Sequence, residues 1–377
     1  MNKAFLYSEK FAAFDYGSAH PLKPYRLRLV YELVQAFGLL EAPGVRLIEA
    51  VSASEKDLLL FHDREYLNLL KALNTGFSVR GAEQYGMGNG DNPIFRGMFD
   101  WSELVAGASL QAAELVDSGE ADIAFNISGG LHHALASRAS GFCYVNDPVI
   151  AIMSLLKKGR RVMYVDIDAH HGDGVQAAFY ETDKVLTVSI HESGYYLFPG
   201  SGFEHETGKG LGKGYSVNIP LPPYTDDELF LYAFNEIVPP LFDSFKPDIL
   251  VSQLGADTFL TDPLTHLQYT TNGFCKAVET MKALAPKWVA LGGGGYDLAN
   301  VARAWTLAWA IMCGREVPDK IPEAFLKAHG HEGFANGKIR DEEFIEKGNQ
   351  KELMRKEVER VVSFVKEMVF PKIRAHE

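Results

Sequence analysis

Asp166, Asp168 and His170 stand at alternate positions in VMYVDIDAHHGDG, residues 162 to 174. On an extended chain every second side chain projects from the same face, so three side chains of metal-ligand type share one side. Three other apolar runs end in residues of similar chemistry. IAFNISGG leads into His132 and His133, ILVSQLGAD closes on Asp257, and the four glycines of WVALGGGGY precede Tyr296. Each piece alone has an ordinary explanation. An Asp after a strand is commonly the N-cap of the next helix, Asp173 and Asp257 included, and a lone His is commonly solvated or satisfied in a core. A glycine run commonly marks a turn with positive φ or a backbone approached closely by a ligand. No Lys-Ser/Thr pair follows these glycines, as a phosphate cradle would require. The set is harder to dismiss, because burying Asp166, Asp168 and His170 at a strand end without a metal or counter-charge costs several kcal/mol.

Two carboxylates and an imidazole, with a position left open for water, make a hydrolytic metal site. Asp168, His170 and Asp257 are the candidate ligands, and such a donor set accepts zinc or ferrous iron. A metal there lowers the pKa of water and polarises a carbonyl, which leaves two tasks, moving protons and stabilising an oxyanion. His132 and His133 suit the first. Tyr296, carried on a glycine loop, suits the second as a neutral hydroxyl donor. Asp166 and Asp173 are placed to orient the two imidazoles.

The elements that must carry these residues read as α/β. Short β-branched apolar runs at Ile123 to Ile127, Val162 to Ile167, Val185 to Ile190, Ile249 to Leu254 and Trp288 to Leu291 have the pattern of buried parallel strands. Between them ELVAGASLQAAELVDSG, VIAIMSLLKKG and NGFCKAVETMKALAP carry apolar residues three and four apart, as amphipathic helices do. In open α/β sheets ligands bind beyond the carboxyl ends of the strands, which is where the polar set falls. Earlier, EKDLLLFHDREYLNLLKALNT reads as one or two helices and YGMGNGDNPIFRG as a glycine-rich loop at a cleft rim. Beyond residue 315 the composition turns charged, and DEEFIEKGNQKELMRKEVERVVSFVKEMV reads as an amphipathic terminal helix packed on the outside.

The 377 residues are 47% hydrophobic and 23% charged, an ordinary globular balance. No run approaches the roughly 20 apolar residues of a membrane span, and MNKAFLYSEK lacks the pattern of an export signal, so a cytoplasmic protein is expected. The formal charge of −12 repels a phosphate backbone and argues against direct nucleic-acid binding. Cys143, Cys275 and Cys313 are too few and too scattered for a disulfide framework or a cysteine zinc site. No repeat or long linker divides the chain, so one continuous domain over 1–377 is expected, and the sequence is silent on oligomeric state.

Five segments in order are similar to one family: HPLKPYRLRL at 20–29, NISGGLHHALASRASGFCYVND at 126–147, YVDIDAHHGDGVQAAFY at 164–180, QLGAD at 253–257 and LGGGGYDLANVARAW at 291–305. Over about residues 14–315 the chain resembles the zinc-dependent histone deacetylases and their bacterial relatives, the acetoin-utilization proteins among them. The resemblance implies an arginase/deacetylase-like fold, a central mostly parallel sheet of about eight strands flanked by helices, with 316–377 as a helical extension. It implies deacetylation of Nε-acetyl-lysine, with zinc on Asp168, His170 and Asp257 and His133 as the principal general base and acid. It pairs His132 with Asp166 and His133 with Asp173, and has Tyr296 donate a hydrogen bond to the acyl oxygen. Phe142 and Phe198 would wall an acyl-lysine channel, with Gly141 and Leu264 at its wall and rim and Asp91 gripping the substrate backbone. The YYLFPG segment that holds Phe198 carries one residue more than the eukaryotic version. The resemblance also implies structural potassium on oxygens around Asp166, Asp168, His170, Ser189 and Ile190, and a second such site at Phe179, Thr182 and Val185.

The substrate is then an acetylated protein or a small acetyl-amine. A carboxylate at the rim would favour an acetylpolyamine, and position 264 carries Leu, which favours acetyl-lysine. Ureohydrolases share the fold type but use two metals. A non-catalytic acetyl-lysine binder has no support in the sequence, since each proposed catalytic position holds a competent residue.

Overall fold

The computed structural model describes residues 1–334 and 336–374. Eight strands form one sheet: β1 Lys3–Tyr7, β2 Val45–Glu49, β3 Ile123–Asn126, β4 Val162–Asp166, β5 Val185–Glu192, β6 Ser216–Leu221, β7 Ile249–Gln253 and β8 Trp288–Leu291. Their order is β2-β1-β3-β8-β7-β4-β5-β6, and every pairing is parallel. All strand carboxyl ends therefore lie along one edge, and β3, β8, β7 and β4 are consecutive neighbours at its centre. In register, Asn126 stands beside Leu291, Leu291 beside Gln253, Gln253 beside Asp166 and Asp166 beside Ser189. The loops that continue from these strand ends are thereby brought to one place.

The five apolar runs read from the sequence are strands β3, β4, β5, β7 and β8, with ends shifted by no more than two residues. Their side chains are buried throughout, as expected where helices cover both faces. β1, β2 and β6 carry weaker signals. β2 lies at a sheet edge with Arg46, Leu47 and Glu49 exposed, and β6 at the other edge contains Pro220, a residue edge strands tolerate.

Two groups of helices flank the sheet: Met98–Asp117 packs on Asp147–Lys157, while Tyr25–Ala36, Leu298–Cys313, Thr271–Leu284 and Asp227–Phe245 pack in series. Their starts are fixed by side chains. Asn146 accepts from Val149 N at 3.1 Å, and Asp297 accepts from Ala299 N and Asn300 N at 2.9 and 3.0 Å. Residues 55–75 form two helices, Glu55–Leu58 and Arg64–Leu73.

The terminal helix is shorter than its sequence suggests. It runs from Asn349 to Met368, after Gly348 at φ 89°, and the charged stretch before it is tied down without helix. There Asp341 accepts from Arg303 Nη1 at 2.5 Å and Thr271 N at 2.9 Å. Val358, Val361, Val362 and Val365 are buried, and the helix lies against β6 and helix Asp227–Phe245, covering an edge that would otherwise expose unpaired backbone.

Lys351 anchors it, donating from Nζ to Asp226 Oδ2 at 2.7 Å and to Glu228 Oε2 at 2.6 Å. Asp226 is fully buried and caps helix Asp227–Phe245 through Leu229 N. Lys351→Met strands a buried carboxylate, so the expected loss is about 3 kcal/mol of unfolding free energy, read by denaturant titration. A loss below about 0.5 kcal/mol, the level of a surface pair, would deny Lys351 this role.

Candidate metal centre and active site

The peptide leaves the strand after Asp166, and this separates the three alternating residues. Asp166 turns to His132, whereas Asp168 and His170 meet Asp257 from the end of β7. One donor atom from each of Asp168, His170 and Asp257 lies within 4.8 Å of the others, all three residues are buried, and no other such cluster occurs among the described residues. Their carboxylates are aimed by hydrogen bonds. Asp168 accepts from Gln253 Nε2 at 2.5 Å, Gly294 N at 2.7 Å and His170 N at 2.9 Å, and Asp257 Oδ1 accepts from Ala169 N at 2.9 Å. His170 Nδ1 stands 2.9 Å from Asp257 Oδ2 and 3.2 Å from Asp168 Oδ1.

Burial and the adjacent Asp168 charge push Asp257 up to about 6. Burial works against His170 as an imidazolium, yet hydrogen bonds to Asp168 and Asp257 and their charges raise it to about 10. Two carboxylates are thus buried with the His170 ring within hydrogen-bonding distance of both and His132 3.9 Å from Asp168, an environment that favours positive charge at the point where the donors converge. Donor chemistry, burial and spacing fit a divalent ion. The glycine run serves close approach here. A Cβ on Gly294 would stand 2.1 Å from Asp257 Oδ2, and one on Gly293, at φ 146°, 2.3 Å from Gln253 Nε2.

Beside this centre are two His–Asp pairs. His132 Nδ1 is 2.7 Å from Asp166 Oδ2, and His133 Nδ1 is 2.7 Å from Asp173 Oδ1. The two Nε2 atoms face each other at 3.0 Å, a contact that is a hydrogen bond only when one of them carries a proton. The environments of the two rings assign that proton. Burial opposes charge on both, but the Asp166 and Asp168 charges lift His132 to about 9. Burial and then the neighbouring His132 push His133 down to about 4, leaving it the neutral member of the pair.

Asp91, Gly141, Phe142, Phe198 and Leu264 line a cavity of about 210 Å3, joined by Leu197, with His133, His170 and Tyr296 also in its wall. Phe198 is 43% exposed while His133 and His170 are buried, so the cavity runs inward from an open mouth. Phe198 packs edge-on to His133 at 5.1 Å, and Phe142 edge-on to Tyr296 at 5.7 Å. The backbone is bent to present Phe142. Gly141 has φ 50° and Phe142 φ 68°, a region non-glycine residues rarely enter, and the Phe142 carbonyl is held by Tyr16 OH at 2.9 Å. A Cβ at Gly141 would meet His133 Cδ2 at 2.4 Å.

The residues named for potassium also adjoin. Asp166 stands beside Ser189, Ile190 follows on β5, and the Ser189 hydroxyl contacts His191 Nδ1 at 2.8 Å and Gly172 N at 3.5 Å. Phe179 and Thr182 meet in a turn, Thr182 N donating to Phe179 O at 3.3 Å, just before Val185 opens β5.

Several supporting residues had no role from the sequence. Tyr164 OH donates to Asp166 Oδ2 at 2.7 Å, and Gln253 holds Asp168. Both are polar groups inside apolar strands, a signal open to reading. Arg26 is buried, donates to Gly293 O at 2.6 Å and Gly295 O at 2.7 Å, and stacks over Trp305. Asp262, which accepts from Tyr296 N, sits in a turn with no such signal.

The family model for the histone deacetylase domain matches residues 20–312. The acetoin utilization protein AcuC of Bacillus subtilis is 40% identical over 333 residues, 86% of each chain. Histone deacetylase 19 of Arabidopsis thaliana is 40% identical over 322 residues, which are 85% of this chain and 64% of that longer one. The crystal structure of an HDAC homolog from Aquifex aeolicus superposes with a TM-score of 0.87 at 36% identity, covering 96% of this chain and all of the other. That of an HDAC homolog complexed with SAHA gives 0.86 at 36% identity, covering 96% of this chain and 99% of the other. No helix among the described residues is long and apolar enough to cross a membrane. With this match, this all-parallel sheet and an Asp-His-Asp cluster at its carboxyl edge, the chain belongs to the histone deacetylase family of typically metal-dependent amide deacetylases.

Proposed function

We propose that the chain, acting as one domain, hydrolyses the side-chain amide of Nε-acetyl-lysine to acetate and lysine. The observation that carries this reading is the cavity, with its phenylalanine walls, reaching the Asp-His-Asp cluster, His133 and Tyr296 together. The stretch between mouth and cluster, walled by Gly141, Phe142, Leu197 and Phe198, carries no charge, accepts a neutral aliphatic stem and disfavours a free ammonium, which would lose its water there.

Asp168, His170 and Asp257 would hold zinc or ferrous iron, which when bound supplies Lewis acidity toward water and the acetyl carbonyl. His133 accepts the proton of the attacking water and returns one to the amine as the C–N bond breaks, while Asp173 holds its Nδ1–H. His132, paired with Asp166, keeps positive charge beside the reacting centre. Tyr296 donates its hydroxyl to the acyl oxygen. Burial and the nearby carboxylates hold it well above the usual phenol range, so the hydroxyl keeps its hydrogen. Oxygens around Asp166, Asp168, His170, Ser189 and Ile190, and around Phe179, Thr182 and Val185, are the places proposed for potassium. Asp91 and Leu264 at the mouth would contact the substrate backbone.

Tyr296→Phe is expected to lower kcat roughly 100-fold with metal content unchanged, and unaltered turnover would remove Tyr296 from the mechanism. The function itself is tested by stripping the protein of metal, adding back zinc, ferrous iron or nothing, and assaying an acetyl-lysine peptide beside acetylputrescine. Metal-restored cleavage of the peptide supports the proposal. Cleavage of acetylputrescine alone would move the substrate to acetylpolyamines, and cleavage of neither would sink the reading.

A further inference from the structure

Tyr296 follows Gly292 to Gly295, and Gly293 and Gly295 lie at φ 146° and 139°, so the loop has little stiffness of its own. A donor that must meet a developing oxyanion has to be held to within about 0.5 Å. Arg26 fixes the Gly293 and Gly295 carbonyls, and Asp168 fixes Gly294 N. Among the backbone contacts of the loop, the one on Tyr296 itself comes from Asp262, whose Oδ2 accepts Tyr296 N at 2.8 Å. The other oxygen of the same carboxylate accepts Leu264 N at 3.0 Å, and Leu264 lines the cavity mouth.

Packing alone does not explain an acid here. Asp262 is 6% exposed and close enough to Asp257 to feel its charge, an unfavourable place for a carboxylate. Its geometry does explain it. Both neighbours are N–H donors, and a carboxylate offers two acceptors and no hydrogen, whereas an amide would turn an NH2 toward one of them. The turn that carries it is itself secured. Asp262 N donates to Phe259 O at 2.9 Å, and Asn300 Nδ2 donates to Thr261 Oγ1 at 2.8 Å, so the turn is fastened to the helix that leaves the glycine loop.

We propose that Asp262 is a positioning residue that clamps Tyr296 and the channel rim to one carboxylate, so that a substrate seated at the rim finds the tyrosine hydroxyl already aligned. This rests on the reading of Tyr296 as donor to the acyl oxygen. A residue acting through another must lose its effect when that other is disabled, and this gives the test. Asp262→Asn and Asp262→Ser are made in the parent and in Tyr296→Phe, with kcat and KM measured on an acetyl-lysine peptide. Amide hydrogen exchange over residues 292–298 is measured in metal-free and metal-loaded protein.

In the parent, kcat should fall about 10-fold with a smaller rise in KM. In the Tyr296→Phe background the same change should cost less than about 2-fold. The loop amides should exchange faster in both variants, with or without metal. Equal losses in the two backgrounds would make Asp262 merely structural and overturn the proposal, as would unchanged exchange. If the parent cleaves no acetyl-lysine peptide, the proposed function fails, and exchange alone decides whether Asp262 holds the loop. Use of two substitutions guards against one that does not fold.

Discussion

His133→Ala should lower kcat/KM on an acetyl-lysine peptide by about 1,000-fold or more, and His132→Ala by distinctly less. General acid–base catalysis contributes roughly 100- to 10,000-fold, and His133 is asked to act twice, taking a proton from water and giving one to the amine. The basis for choosing between the two rings is local. His133 lines the cavity and its pKa is pushed down to about 4, so at neutral pH the ring is neutral, the state a base requires. His132 lies against Asp166 and is raised to about 9, so its imidazolium is a source of field more than of proton transfer. With the Nε2 atoms 3.0 Å apart the two effects will not add, and the double variant should be little worse than His133→Ala. A larger loss at His132 would exchange the two roles.

How much of the molecule is legible in its sequence depends on what kind of physics places each residue. Buried parallel strands announce themselves as β-branched runs, so β3, β4, β5, β7 and β8 were legible one at a time. The neighbour relations were not, because β8 and β7 slip between β3 and β4 through contacts remote in sequence, and that insertion brings Asp257 to Asp168. Alternation along VDIDAH grouped Asp166 with Asp168 and His170. The strand ends at Asp166, however, and the next two ligand types leave its geometry, so only they join Asp257. β6 was obscured by Pro220, and β2 by the polar residues an exposed edge requires. The terminal helix is shorter than its pattern because the charged residues before it match a helical spacing, while hydrogen bonds to Asp341 and the positive φ of Gly348 keep them out of the helix. Asp262 stayed invisible because its function is to accept two backbone N–H groups, and backbone donors leave no trace in a sequence.

Asp257→Asn should abolish turnover and metal retention while leaving the metal-free protein at least as stable as the metal-free parent. The substitution keeps the oxygen that accepts Ala169 N and removes one negative charge from a buried cluster in which the Asp168 charge stands beside it. In the parent that charge is a cost until an ion occupies the site, since burial and Asp168 already hold Asp257 up at about 6. Metal added to the parent at 100 times its dissociation constant should contribute about 2.7 kcal/mol of stability, visible as a higher Tm. The variant should show no such rise. The combination separates a ligand from a structural acid. Removing a structural carboxylate would lower the stability of the metal-free protein, whereas removing a ligand relieves repulsion there and costs only the gain from binding. Retention of stoichiometric metal by Asp257→Asn would withdraw Asp257 from the donor set. A large fall in metal-free stability would mean that its hydrogen bonds to Ala169 and His170 carry the local fold.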